Sequence, residues 1–184
     1  MLTARQFATD LCAKFARDRK RHHDAESWTA VMAETVAQLG EAHGLVAYGH
    51  GAGGTQRHRE YLWDYTLYAD RRDGALPAVV IEHENQHRLG AFRDDFWKIL
   101  MANAPVRVAI GYCKTADERA GWVEQLNDEA ATGVWDASFL GACEDLIALG
   151  YWGMLQDGGN FQCWVRPDRG RRWLPYPAHE PQAG

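Results

Sequence analysis

The sequence predicts an α/β fold, one domain with a mixed central β-sheet flanked by helices, and three observations carry that expectation. Several stretches place apolar residues at helical spacing. Between them lie short runs of β-branched and aromatic residues bounded by glycine and proline. At 184 residues and 46% apolar composition, the chain suffices for one well-buried core, and it carries no internal repeat. The expected domain spans residues 1–184, with a core over about 27–166, an N-terminal helix within 1–20 and a frayed tail over 174–184.

The elements follow in chain order. Thr3-x-x-Gln6 has capping-box spacing and opens a helix over 3–19, with Phe7, Leu11 and Phe15 as its apolar stripe. The basic ARDRKRHHD that follows reads as a solvated helix end. A second helix over 27–39 carries Trp28, Val31, Met32, Val36 and Leu39, and is expected to end at Gly40. Residues 44–57 begin with a short apolar piece and turn glycine-rich. They lack the GxxxxGK(S/T) pattern of a phosphate loop and read as a flexible connection.

Residues 60–69 (EYLWDYTLYA) and 78–82 (AVVIE) have strand composition on either side of a turn, with Asp73-Gly74 at the turn and Pro77 where a strand can begin. A helix over 91–103, with Phe92, Phe96, Ile99 and Leu100 on one side, stops before Pro105. VRVAIGY (106–112) reads as a buried strand. Thr115-x-x-Glu118 has capping-box spacing for a helix to about residue 130. Residues 136–149 fit helical spacing, yet the LIAL within them also fits a strand. YWGMLQ and FQCWVR flank DGGN as a second hairpin.

Composition narrows the function classes. No run approaches the ~18 apolar residues of a membrane span, and the first twenty residues lack the apolar region of a secretion signal. A soluble, cytoplasmic protein without membrane association is expected. The four cysteines are scattered without a CxxC pair and read as reduced core thiols. A net charge of −5 provides no global attraction to nucleic acid, although an acidic metal site contributes to that count.

The hairpin carries acids where a half-buried sheet should be apolar. Side chains two apart share a face, so Leu62, Asp64, Thr66 and Tyr68 lie together, as do Val80, Glu82 and Glu84. Closure near Arg72 and Asp73 makes cross-strand pairs sum to about 146, which sets Asp64 opposite or diagonal to Glu82. Like charges across a sheet destabilise it by up to ~1 kcal/mol, and unpaired buried carboxylates by far more. A divalent cation is the economical compensation.

The same stretch spells HExxH from His83 to His87, and Gly90 extends it to HExxHxxG. On a helix the two imidazoles would bind Zn²⁺ and Glu84 would be the general base of a metalloprotease. On a strand, His83 points away from Glu82 and Glu84. AVVI is short and β-branched, and position 93, where a third ligand would fall, is arginine, so the strand is the preferred reading.

Asp64 on one strand, Glu82-His83-Glu84 on the next, then a helix and a further strand together resemble the restriction-endonuclease-like, or PD-(D/E)XK, nuclease superfamily. The resemblance covers about residues 27–112. Asp64 matches the first acid of that pattern, and Glu82 and Glu84 match its acid pair, with Glu84 where lysine is usual. Glu34 matches the extra acid that some members place on the first core helix. The resemblance implies Mg²⁺-dependent (or Mn²⁺-dependent) hydrolysis of DNA, with Asp64, Glu82, Glu84 and Glu34 toward the metal. Lys98 would replace the missing cation from the neighbouring helix. The basic segments 17–23 and 166–172 are candidate phosphate contacts, and His87, beyond the strand, is a candidate substrate contact. A non-catalytic binding module of the same fold is the alternative, and the oligomeric state, a homodimer included, is left open.

Overall fold

Residues 2–18, 25–49, 63–69, 75–132, 143–167 and 172–177 are described in the computed structural model of the chain. Two helices come first, α1 (Ala4–Asp18) and α2 (Ala25–Ala42). They are followed by β1 (Val46–Gly49), β2 (Tyr65–Tyr68), β3 (Val79–His83), α3 (Leu89–Leu100), β4 (Val106–Cys113) and α4 (Glu118–Ala131). The chain continues through β5 (Glu144–Tyr151), β6 (Gln162–Arg166) and β7 (Leu174–Tyr176). The strands form one mixed sheet in sequence order. β3, β4 and β5 run parallel, and every other neighbouring pair is antiparallel. The result is the single α/β domain expected.

The parallel centre explains why VRVAIGY has no polar face. Helices cover the sheet on both sides there, and all eight residues of β4 are buried. One face packs Val79, Ile81, Val108 and Leu146 against Phe7, Leu11 and Phe15 of α1 and Met32 and Val36 of α2. The other packs Val80, Ala109 and Ile147 against Phe92 and Phe96 of α3 and Leu126 of α4. Strand alternation therefore sorts β3 residue by residue, odd numbers toward α1 and α2 and even numbers toward α3.

A charged row crosses the central strands on the second face. Arg107, Asp145 and Arg166 are register partners across β4, β5 and β6, and all three are buried. Arg107 Nε donates to Asp145 Oδ1 at 2.7 Å, and Arg166 Nε donates to Oδ2 at 2.6 Å. Arg107 also donates to the carbonyl of Leu100, fastening the end of α3 to the sheet.

Several boundaries differ from expectation. Residues 144–151 are strand, which resolves the double reading of LIAL; the earlier residues 136–142 lie outside the described ones. Residues 46–49 pair with β2 where a connection was expected, and 174–176 add a strand at the start of the expected tail. Helix α2 continues through Gly40, and the chain leaves it at Gly44, whose φ of 68° suits glycine. Thr115 does not cap α4; Glu118 instead takes the Lys114 N–H at 2.9 Å, and Asp117 stands at the cap without a side-chain bond. The Thr3 cap does form, accepting from Gln6 N–H at 3.2 Å. YWGMLQ is mostly turn, although β5 and β6 form the hairpin expected around it. Residues 60–62, the turn at 70–74 and the glycine-rich 50–57 lie outside the described residues. Among those described, no helix is long and apolar enough to cross a membrane.

Candidate functional site

The β2–β3 register sets the site. Tyr65 pairs with Ile81, Thr66 with Val80 and Leu67 with Val79, so the pairs sum to 146 as the sequence implies. One step further, Asp64 stands opposite Glu82. Its Oδ2 accepts a hydrogen bond from the His83 backbone N–H at 2.8 Å, which ties the end of β3 to the start of β2. Gly49 of β1 packs against this point. Its φ of 148° is glycine's region, and a Cβ there would overlap the Asp64 carbonyl oxygen.

Glu82 projects to the α3 face and is only 2% exposed. Lys98, in the last turn of α3, brings Nζ to 2.6 Å from Oε1. At that distance the ammonium and the carboxylate form a charge-assisted pair, which draws the Glu82 carboxyl downward. Burial pushes the Glu82 carboxyl up to about 8; Lys98 pulls it back, while Asp64 and Asp95 add to the rise. Desolvation and like charge therefore outweigh the one cation.

Asp95 was not singled out from the sequence, where it reads as one more charge on a helix surface. It lies one turn before Lys98, on the same side of α3. It is half-buried, and its carboxyl is raised to about 6, by burial first and then by Glu84, Asp64 and Asp94 against the pull of Lys98. No local pattern marks it, because its meaning depends on how α3 docks over β3.

Glu84 lies just beyond β3. Its N–H donates to the Ile110 carbonyl at 2.9 Å, and its Oε1 accepts from Gln86 N–H at 2.7 Å, turning the carboxylate into the following loop. Glu34 belongs to α2 on the other face of the sheet, where it accepts from Gln38 Nε2 at 2.8 Å. The structure thus gathers Asp64, Glu82, Asp95 and Lys98, keeps Glu84 at the rim and leaves Glu34 apart.

His83 faces the opposite core. Its Nε2 is 2.9 Å from the Tyr112 hydroxyl, and its ring packs edge-on to Tyr112. Residues 79–83 are strand and 84–88 are loop, so the helix that an HExxH site needs does not form. Of the basic segments, Arg166 is buried in the charged row and Arg172 pairs with Glu124 at 2.8 Å. Residues 19–23 and 168–171 lie outside the described ones.

Among the described residues, no three carboxylate, imidazole or thiol groups converge closely enough to hold a metal ion. The donor chemistry nevertheless fits a hard divalent cation. The candidate ligands are all oxygen, and the cluster holds more negative charge than Lys98 offsets. Asp64 and Glu82 are the groups that could hold Mg²⁺ or Mn²⁺, with Asp95 or Glu84 turned in.

Comparison of the chain with protein-family models, curated proteins and solved structures finds no match.

Proposed function

We propose that the protein is a Mg²⁺-dependent or Mn²⁺-dependent nuclease of the restriction-endonuclease-like kind, hydrolysing phosphodiester bonds in DNA. The observation that carries the reading is Glu82, a buried acid facing Asp64 across two antiparallel strands with the Lys98 ammonium 2.6 Å away. The order β2, β3, α3, β4 follows that of the superfamily's acid-bearing strands, helix and strand. The cation deficit around Glu82 supports a metal at the same place.

Asp64 and Glu82 would hold the ion, which supplies polarisation of the scissile phosphate and a water of lowered pKa. Lys98 is 36% exposed at its side chain, so its ammonium can serve Glu82 and a phosphate oxygen together, offsetting charge that develops there. Glu84, at the rim, can turn from Gln86 to orient or deprotonate the attacking water. Asp95, one turn before Lys98 on α3, would offer a further oxygen ligand.

The non-catalytic module is favoured by one specific feature, since Lys98 offsets part of the Glu82 charge without metal. Incubating supercoiled and single-stranded DNA with Mg²⁺, Mn²⁺ or EDTA separates the two. Metal-dependent cleavage by wild type, lost in Glu82→Gln, is expected. No cleavage with either metal, together with no shift in melting temperature on adding it, rejects the nuclease.

A further inference from the structure

A free cysteine ordinarily fills a core as a small apolar group, and all four in this chain are free thiols. The fold nevertheless places two of them together. Cys12, in the middle of α1, and Cys163, on β6, have their sulfurs 3.7 Å apart across a sequence separation of 151 residues. Cys113 belongs to the core on the α3 side of the sheet, and Cys143 stands half-buried just ahead of β5.

The pair is held from both sides. Cys163 lies inside β6, with Ala148 of β5 and Tyr176 of β7 as its register partners. On α1, Asn160 Nδ2 donates to the Cys12 carbonyl at 3.1 Å, which fastens the helix at that turn. The helix is fastened again at its start, where the Ala4 N–H donates to Glu144 Oε2 at 2.7 Å. The Cys12 thiol donates to the Phe161 carbonyl at 3.7 Å, so its sulfur is left to accept from Cys163. A disulfide holds its sulfurs at about 2.0 Å, so the pair has roughly 1.7 Å to close. Two side-chain rotations and a slight settling of α1 can share that movement.

Docked, the pair is inert. Both side chains are buried, and the contact with Cys12, together with burial, holds the Cys163 thiol well above its usual range. The thiolate is the reactive form, so oxidation waits for α1 to lift. The same cover shields the bond once it has formed.

We propose that Cys12 and Cys163 are a dithiol–disulfide pair that locks α1 to β6 when the protein meets a hydroperoxide. With α1 lifted, the Cys12 thiolate attacks one oxygen of hydrogen peroxide. The O–O bond breaks, Cys12 becomes a sulfenic acid, and the other oxygen leaves as water with the proton the thiol gave up. As α1 redocks, the Cys163 sulfur attacks the Cys12 sulfur. The S–S bond forms, the S–O bond breaks, and hydroxide departs with the Cys163 proton as a second water. Two thiols together lose two electrons, and the peroxide takes them up. The lock lies on the α1 and α2 side of the sheet, whereas Glu82 faces α3, so it stands or falls apart from the nuclease reading.

The test treats the full chain with hydrogen peroxide, alkylates the remaining thiols in denaturant and maps unreduced peptides by mass spectrometry. The expected product links Cys12 to Cys163 and leaves Cys113 and Cys143 alkylated. It should melt higher than the reduced protein by on the order of 10 °C, because the bond closes most of the chain into one loop. Dithiothreitol should reverse both changes, faster in denaturant than in buffer. Cys163→Ala should stay unlinked after peroxide and show no rise, with Cys12 trapped by dimedone as the sulfenic acid. The wild-type map needs no variant to fold. Treated wild type whose Cys12 and Cys163 are alkylated, separately oxidised or joined to other cysteines overturns the lock. A linked form that melts no higher than the reduced protein overturns it as well.

Discussion

Lys98 on α3 and Glu82 on β3, sixteen positions apart in sequence, meet with Nζ and Oε1 2.6 Å apart. The pair puts a cation where the E-x-E strand lacks one, and it does so from the helix that follows the strand. The side chains are unequal in burial, 36% exposed for Lys98 and 2% for Glu82. Glu82 therefore bears most of the desolvation, and Lys98 keeps part of its water. An ion pair of this shape leaves the acid strained toward its neutral form while leaving the lysine able to reach another anion.

Glu82→Gln should stabilise the metal-free protein in alkaline solution. A carboxyl raised in the folded state is penalised when ionised. Stability from Glu82 is thus fully present at low pH and falls as pH climbs from the ordinary 4.5 through about 8. Asp95, raised to about 6, adds a loss of the same sign at lower pH. Melts of wild type and Glu82→Gln should nearly coincide below about pH 4.5, separate progressively up to about pH 8 with the mutant higher, and stay apart above it. A mutant that melts lower near pH 9 would show that the Lys98 pair dominates and that the acid cluster is not in charge deficit.

Lys98→Met makes the opposite change. It strips the ionised Glu82 of its nearby cation, so the carboxyl should move further up and the alkaline loss of stability should grow. Because Lys98 is partly solvated, the penalty is on the order of 1 kcal/mol. DNA cleavage should fall about a hundredfold, and Lys98→Arg should keep more activity than Lys98→Met. Cleavage by Lys98→Met at the wild-type rate would remove the lysine from the mechanism.

The contrast with the buried row is instructive. Asp145 accepts from two arginines whose side chains are 0–2% exposed. Asp145→Ala leaves two guanidiniums buried without their shared anion, and should destabilise by ~3–5 kcal/mol. An apolar triple replacement of Arg107, Asp145 and Arg166 should be far milder than the single change, as removing a whole buried charge set often is. Denaturant midpoints of the two variants test this; an Asp145→Ala midpoint equal to wild type would mean that the row contributes nothing.

What could be read in the chain divides along range of interaction. The β2–β3 register was legible because strand period and turn placement are local, and both acids could be set opposite each other from them. β4 was legible because its run is apolar on both faces. β5 was ambiguous because LIAL satisfies either period in so short a run. β1 and β7 are four and three residues long, below the length at which alternation is a signal. Asp95 was invisible, and Lys98 was only a guess, because their role comes from the angle at which α3 crosses β3. Glu34 was legible as an acid on a helix, but which face that helix covers is decided by tertiary packing.

His83 supplies the sharpest separation of the two metal chemistries. It is 7% exposed, with Nε2 2.9 Å from the Tyr112 hydroxyl and on the sheet face opposite Glu82. His83→Ala removes that hydrogen bond and opens a cavity between Tyr112 and β3, which should destabilise by ~1–3 kcal/mol. The carboxylates are untouched, since Asp64 holds the His83 backbone N–H and not its ring. Mn²⁺ affinity, measured calorimetrically below the melting range, should therefore match wild type, whereas Glu82→Gln should lose it. A zinc site at HExxH makes the reverse prediction, because His83 would then be a ligand and the oxygens would not. Purified protein carrying one equivalent of Zn²⁺, released by His83→Ala and retained by Glu82→Gln, would overturn the carboxylate site and move the chemistry to the other face of β3.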